Sequence, residues 1–243
     1  MKRLTHFLQT LALSTCLLTS SVYATQHTTP TPIQFNESGW NKYKEAIFKA
    51  SDATGVSPTD LATFTSIESG FHAQAKNRTK RSTAGGLTGF TKTTWKTMVK
   101  SYSKKYGLHQ NVSRFDAYPT ALLTAEYYKE NKAILSKALK RNVGTNEVYL
   151  AHFLGPQTAI GVLKAKANRP ITAYVKATRG NERLLYRKGH PLTVGQFKTN
   201  IAKMIQSHRD VYLYVTLNRD ALPDVTRNLA MNSLVRTLLR TAN

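Results

Sequence analysis

Glu68 is the residue of this chain whose position most clearly suggests chemistry. It lies in the stretch TSIESGF, and Leu61, Phe64 and Glu68 occupy positions i, i+3 and i+7 of a predicted helix. At about 100° per residue, the glutamate projects between the two apolar side chains. Burial disfavours the charged form of a carboxyl group, so a glutamate here could keep its proton near neutral pH and donate it to a leaving oxygen. A buried basic partner, or a helix end that reaches solvent, would instead make it a structural residue.

Few other side chains offer an alternative chemistry. The seven histidines show no His-Glu-x-x-His spacing, so we predict no metal site and no cofactor. Ser69 lacks the Gly-x-Ser-x-Gly turn that exposes a nucleophilic serine. A second catalytic carboxylate has no clear candidate, since Asp116 is suited to cap a long helix that contains Glu126 and Glu130. Of these, Glu126 could still approach a cleft.

The elements around Glu68 are predicted to be mostly α-helical. Apolar residues recur at helical spacing from Trp40 onward, and Ser57 followed by Pro58 marks the start of the helix that carries Glu68. A Gly-rich stretch, STAGGLTGF, precedes several further helices, one of them in TNEVYLAHFLG. Neither an internal repeat nor an alternating strand series is found. The pattern predicts one mostly α domain over residues 40–207.

The first 24 residues have the pattern of a secretory signal peptide. Lys2 and Arg3 precede an apolar segment that ends in VYA, whose small residues suit cleavage after Ala24. The segment is too short and too polar for a membrane span. Cys16, the one cysteine, would be removed with it, and its surroundings fit a lipoprotein signal poorly. We therefore predict a thiol-free protein in the periplasm or exterior of a Gram-negative bacterium, with a polar tether over residues 25–39.

The chain carries a strong excess of positive charge. It contains 35 Lys and Arg residues against 13 Asp and Glu, a formal net charge of +22. Such a surface favours nucleic acid, anionic lipid or the acidic polymers of a bacterial envelope. Because no nucleic-acid motif accompanies the charge, we expect envelope polymers rather than a specific nucleic acid. We predict a basic helical extension over residues 208–243, because the segment PDVTRNLAMNSLVRTLLRTAN has arginines between regularly spaced apolar residues. Such a helix packs on its own domain or lies on an anionic surface.

Several short motifs are informative because of their order. IESGF at 67–71, GGLTGF at 85–90, the long segment RFDAYPTALLTAEYYKEN and then AHFLGP follow one another within residues 55–205. This part of the chain resembles the soluble lytic transglycosylase domain of the lysozyme-like superfamily. AHFLGP and LLYRKGHPLTVGQF are similar to a subgroup that includes phage-type endolysins. The resemblance implies the helical fold of goose-type lysozymes and lytic transglycosylases.

The resemblance also implies an activity, the cleavage of the β-1,4 bond between N-acetylmuramic acid and N-acetylglucosamine in peptidoglycan. One glutamate, here Glu68, acts first as acid and then as base, while the muramyl 6-hydroxyl attacks the anomeric carbon and leaves a 1,6-anhydro end. The matching positions predict these substrate-binding residues: Ser69, Gly86, Phe90, His152 and Phe153. By residue type alone, the serine could instead end its helix, and the histidine and phenylalanines could be core residues. Some of three tyrosines could line the cleft, and the sequence does not show which of them do: Tyr127, Tyr128 and Tyr149.

One departure from the family pattern keeps other functions open. Gly89 stands where the family's turn usually carries Gln, so a hydrogen bond to the substrate's N-acetyl group is missing or comes from elsewhere. A non-catalytic protein that holds peptidoglycan, or that docks into an envelope-spanning machine, is therefore an alternative, as is a lysozyme-type hydrolase. The sequence leaves open a role in wall remodelling, in secretion or conjugation machinery, or in phage lysis.

Overall fold

The computed structural model describes residues 33–76, 82–178 and 180–219. The predicted signal peptide with Cys16, most of the predicted tether and the basic segment near the C-terminus lie outside the described residues. Within the described ranges the chain is mainly α-helical, as its apolar periodicity predicted. None of the helices in these ranges has both the length and the apolar composition that crossing a membrane requires.

Eight α-helices, a 3-10 turn at Ile171–Ala173 and one short hairpin make up the regular structure of the described ranges. The helices are α1 (Glu37–Thr54), α2 (Pro58–Ser69), α3 (Lys92–Tyr106), α4 (Ala117–Leu139), α5 (Thr145–Leu154), α6 (Pro156–Lys164), α7 (Glu182–Leu185) and α8 (Val194–Leu217). Between α7 and α8, strands β1 (Tyr186–Arg187) and β2 (His190–Pro191) pair antiparallel.

Local signals account for the ends of the first two helices. α1 starts after Asn36, whose side chain accepts a hydrogen bond from an amide of the first turn, and it ends at Gly55. α2 begins at Pro58, as predicted, because the missing N–H of proline costs nothing in a first helical turn. Gly70 ends α2 in the left-handed conformation, so the chain turns away directly after the predicted catalytic residue.

Helix α2 lies at the centre of the fold. Every residue from Thr59 to Ser66 is buried, and the helix packs against α1, α4 and α8. The apolar stripe predicted from Leu61 and Phe64 is confirmed, since both side chains are fully buried in the main core. A second, smaller cluster connects α3 to α4: Phe90, Trp95, Met98, Val99 and Leu123.

A buried carboxylate connects α2 to three other helices. Asp60 accepts hydrogen bonds from Tyr128 of α4 at 3.0 Å and Thr145 of α5 at 3.1 Å, and it pairs with Arg209 of α8. Burial and the charge of Asp60 raise the pKa of Tyr128 to about 12, so its hydroxyl stays a donor. Loss of Arg209 would leave the buried charge of Asp60 uncompensated and should therefore destabilise the packing of these helices.

Two helices cross the boundaries that the sequence predicted. The boundary expected after residue 207 lies inside α8, which continues without interruption to Leu217. Tyr212 and Val215 are buried in the main core, because the apolar positions of α8 continue at helical spacing beyond that point. At the other end, α1 already begins at Glu37, within the segment predicted as a tether.

Candidate active site

Glu68 lies in the last turn of α2, at the edge of the main core. Its side chain is 19% exposed, whereas Leu61 and Phe64 of the same stripe are fully buried. The glutamate therefore projects from the side of α2 that the spacing predicted, but its carboxylate reaches solvent. A general acid or base needs this combination, because protein groups must hold it while substrate approaches.

One carboxylate oxygen of Glu68 is bound by Tyr149 of α5. The Tyr149 hydroxyl donates a hydrogen bond of 2.8 Å to Oε1. Burial, together with the charge of Glu68 and this hydrogen bond, raises the pKa of Tyr149 well above its usual range. The phenol therefore stays protonated and acts on Glu68 only as a donor. Its ring packs edge-on against Phe64, with centroids 5.1 Å apart, and this contact fixes the position of the hydroxyl.

His152 lies one turn after Tyr149 on α5. Its side chain is 7% exposed, and Nε2 lies 3.0 Å from the carbonyl oxygen of Thr88. Since a carbonyl oxygen only accepts, Nε2 carries a proton and donates it to this bond. The same nitrogen is 4.0 Å from Glu68 Oε1, too far for a hydrogen bond. His152 thus connects α5 to the glycine-rich turn (residues 85–89) beside the carboxylate.

The glycine-rich turn contacts Glu68 through its backbone. Gly89 has a φ of +69°, and a Cβ at this position would lie 2.7 Å from Glu68 Oε2. Any residue with a side chain would therefore press on the carboxylate. At Gly86, φ is +84° and a Cβ would collide with the carbonyl oxygen of Arg114. Gly89, at which the resemblance led us to expect a glutamine, is thus the residue that allows the turn to approach Glu68 closely.

Glu68, Tyr149 and the glycine-rich turn line one cleft of about 390 Å³. The first part of its lining comes from α2, the glycine-rich turn and α5: Ile67, Glu68, Gly85, Gly86, Gly89, Tyr149 and Phe153. The second part includes residues of α7 and α8: Arg183, Leu184, Ile201 and Met204. Of the lining residues in the described chain, Glu68 alone is acidic, whereas Lys76 and Arg183 are basic.

Three of the predicted binding residues gather around Glu68. Gly86 and Phe153 line the cleft, and the ring of Phe153 is nearly parallel to that of Tyr149 at a centroid distance of 6.3 Å. His152 is the residue 4.0 Å from the carboxylate, but it does not line the cleft. Motifs that follow one another along the sequence are thus brought together in space by α2, the glycine-rich turn and α5.

The other two predicted binding residues lie outside the cleft. Phe90 is 2% exposed and packs with Trp95 in the smaller core cluster, so its ring is covered by protein. The Ser69 hydroxyl accepts a hydrogen bond of 3.1 Å from the His72 amide and donates one of 3.2 Å to the Thr65 carbonyl. Both contacts stabilise the end of α2, the structural role that residue type alone allowed for a serine.

Glu126 and Asp116, the acidic residues considered as a second catalytic group, do not line the cleft. Glu126 is buried and accepts hydrogen bonds from Lys105 at 2.9 Å, from Lys129 at 3.1 Å and from the Tyr106 hydroxyl. Asp116 is exposed at the N-terminus of α4, the position predicted for it, although its side chain makes no capping hydrogen bond. Glu68 is therefore the carboxylate that the cleft offers to a ligand.

Sequence reasoning did not single out Tyr149, Lys76 or Arg183. Of the three candidate tyrosines, Tyr149 binds Glu68, while Tyr128 binds Asp60. The position of Tyr149, three residues before the predicted site residue His152, was a usable signal, because residues at this spacing share a helix face. Lys76 and Arg183 lie in segments without a sustained helical pattern, so periodicity could not connect them to the site.

The described residues contain no group of three or more His, Cys, Asp or Glu side chains that could hold a metal ion. No model of a known protein family matches the chain. The site is therefore defined by its own geometry: a carboxylate at a helix end, a phenol donor, a close glycine-rich turn and two cationic side chains.

Proposed function

We propose that this protein is a peptidoglycan lytic transglycosylase, which cleaves the β-1,4 bond between N-acetylmuramic acid and N-acetylglucosamine with formation of 1,6-anhydromuramic acid. The observation that carries the proposal is Glu68, the one acidic residue lining the cleft among the described residues. A two-carboxylate glycosidase needs a second acid across the bond to activate water or to attack the sugar. A cleft with one acid suits a reaction in which the substrate supplies its own nucleophile.

The proposed reaction consists of two proton transfers at Glu68. Oε1 is occupied by the Tyr149 hydroxyl, so Oε2, which faces Gly89, is left to exchange the proton. Glu68 first donates its proton to the glycosidic oxygen as the bond to the muramyl anomeric carbon breaks. The carboxylate then takes the proton of the muramyl 6-hydroxyl as that oxygen bonds to the same carbon. No water is consumed, and Glu68 returns to its protonated form.

We also assign the domain to the lysozyme-like superfamily, with the arrangement of goose-type lysozymes and lytic transglycosylases. The support is the order of the elements that meet at the site. A central buried helix, α2, ends at the acid, a glycine-rich turn follows, and α5 brings a tyrosine back to the carboxylate after the long helix α4. The motifs quoted from the sequence occur in this same order.

The proposed partners are peptidoglycan strands and other anionic polymers of a Gram-negative envelope, which the predicted export would allow the protein to reach. Helix α3 supports an anionic partner, because it contains no acidic residue and its exposed side carries a lysine at every fourth position. This lysine row consists of Lys92, Lys96, Lys100 and Lys104. Like charges at this spacing destabilise an isolated helix, so folding does not explain the row. The exposed residues between them are Thr and Ser, which offer no surface for stacking nucleic-acid bases.

Digestion of purified sacculi tests the proposed activity. The wild-type protein should release soluble muropeptides, and Glu68→Gln should lose roughly 10²–10⁴-fold in rate, the usual contribution of general acid–base catalysis. Glutamine has nearly the same shape, so circular dichroism and the melting temperature should stay close to those of the wild type. Binding of sacculi without cleavage by either protein would favour a non-catalytic peptidoglycan-binding role. Cleavage by Glu68→Gln at the wild-type rate would refute the assignment of Glu68.

A further inference from the structure

The cleft carries positive charge that the proposed reaction does not use. Lys76 and Arg183 both line it, and neither takes part in a salt bridge with a carboxylate of the described residues. The sugar backbone of peptidoglycan is uncharged wherever the lactyl group of muramic acid is amide-linked to a peptide. Sugar recognition therefore does not explain these cations, and a charged substituent of the strand would.

Arg183 lies at the junction of three hollows. The cleft of Glu68 shares Arg183, Leu184, Ile201 and Met204 with a second hollow of about 250 Å³. A third hollow, along the β1–β2 hairpin, also includes Arg183 among its lining residues. Among the described residues lining the cleft, Arg183 is the one that lines both neighbouring hollows, so a ligand that extends from Glu68 into either of them comes close to it.

The second hollow has the chemistry of a peptide site. Leu184, Tyr186 and Leu192 supply apolar surface, Asn200 supplies an amide, and Arg187 adds a further cation. Apolar side chains and carboxylates occur together in a peptide, whereas a neutral sugar carries no charge to pair with the two arginines. The planar guanidinium group also matches a carboxylate, to which it can donate two parallel hydrogen bonds.

We propose that Arg183 binds a carboxylate of the peptide stem that branches from the muramyl residue over Glu68, and that the second hollow holds the remainder of that stem. This inference rests on the proposed function, because a muramyl residue at Glu68 is what places a stem beside Arg183. Arg183 is then a specificity-determining residue. It distinguishes strands with peptide stems from bare glycan and takes no part in breaking the bond.

Two forms of the same glycan strands test this assignment: strands with intact stems, and strands from which an amidase has removed them. Binding is measured with the inactive Glu68→Gln protein. Adding Arg183→Gln should weaken binding of stem-bearing strands about tenfold, the loss of one charge-assisted contact, and leave binding of bare strands unchanged. Arg183→Lys keeps the charge without the planar fork and should fall between. Arg169→Gln is the matched control, an exposed arginine outside the three hollows, and should alter neither affinity.

Kinetics with active protein give a second readout. Arg183→Gln should raise KM for stem-bearing strands by about the same factor, with a much smaller change in kcat and a melting temperature close to that of the wild type. An equal loss of affinity on both kinds of strand, or no loss on stem-bearing strands, would overturn the assignment of Arg183. Stem-dependent binding through Arg183 without any release of anhydro product would instead refute the transglycosylase and leave the stem site standing.

Discussion

Replacement of Gly89 by alanine tests whether the position of the Glu68 carboxylate controls activity. A Cβ at position 89 would lie 2.7 Å from Oε2, and ordinary contact begins near 3.4 Å, so the carboxylate must move by about 0.7 Å. The Tyr149 hydrogen bond to Oε1 opposes this movement. Since displacement of a reacting group by about 1 Å can cost roughly 10²-fold in rate, we expect kcat to fall about 10- to 100-fold.

The same substitution strains the backbone, and Gly107 isolates that effect. Gly107 ends α3 with a φ of +63°, close to the +69° of Gly89, but a Cβ there would meet nothing within 4 Å. Both alanine variants should lose about 1–2 kcal/mol of unfolding free energy, the cost of a left-handed residue that is not glycine. Only Gly89→Ala should lose activity beyond the loss of folded protein.

Release of soluble muropeptides from sacculi, corrected for the folded fraction by urea unfolding, compares the three proteins. If Gly89→Ala is as active as Gly107→Ala, the reasoning is refuted, because the carboxylate would then tolerate the shift or would not be the reacting group.

Three further changes test contacts around the site and on the surface. Tyr149→Phe removes the donor to Glu68 but keeps the ring, so kcat should fall about tenfold with little change in melting temperature; an unchanged kcat would show that the donor is dispensable. Burial raises the pKa of Glu126, but hydrogen bonds from Tyr106, Lys105 and Lys129 outweigh this effect and lower the pKa below its ordinary value of 4.5. The ionised carboxylate therefore stabilises the folded state above pH 4.5, and this stabilisation is lost as the pH falls below that value. Urea unfolding should therefore show a steeper loss of stability on acidification for the wild type than for Glu126→Gln, and parallel curves would contradict this. Gln at the four positions of the lysine row should weaken sacculus binding about tenfold at low salt and reduce its salt dependence. The control replaces four scattered exposed lysines with Gln and so removes the same charge: Lys49, Lys132, Lys137 and Lys203. This control should weaken binding less. Equal losses would show that binding depends on net charge alone.

The helix of Glu68 could be predicted because its signals are local. Pro58 at its start, Gly70 at its end and the spacing of Leu61 and Phe64 all depend on residues of one helix and its caps. The buried stripe follows from the helical repeat, without knowledge of what packs against it. The same kind of reasoning predicted the mainly helical class, which is confirmed.

The remaining parts of the site depend on contacts between distant segments. Tyr149 reaches Glu68 across 81 positions of the chain, and no local pattern indicates that pairing. Arg183 lies in a helix of four residues, too short to show a periodicity. Phe90 has a residue type that suits a sugar site, but it packs with Trp95 in the smaller core cluster, and only the three-dimensional packing decides between these positions.

The mass of the product released from sacculi tests the central claim most directly. The wild-type protein should release 1,6-anhydromuropeptides, lighter by one water than hydrolysis products, because the described part of the chain gives the cleft no second acid to activate water. Asp116→Asn, at the exposed N-terminus of α4, should give the same product at nearly the wild-type rate, and Glu68→Gln should give none. Products with free reducing ends would contradict the account and make the protein a hydrolase. Glu182, which lines the third hollow beside Arg183, would then be the first acid to test as the missing partner.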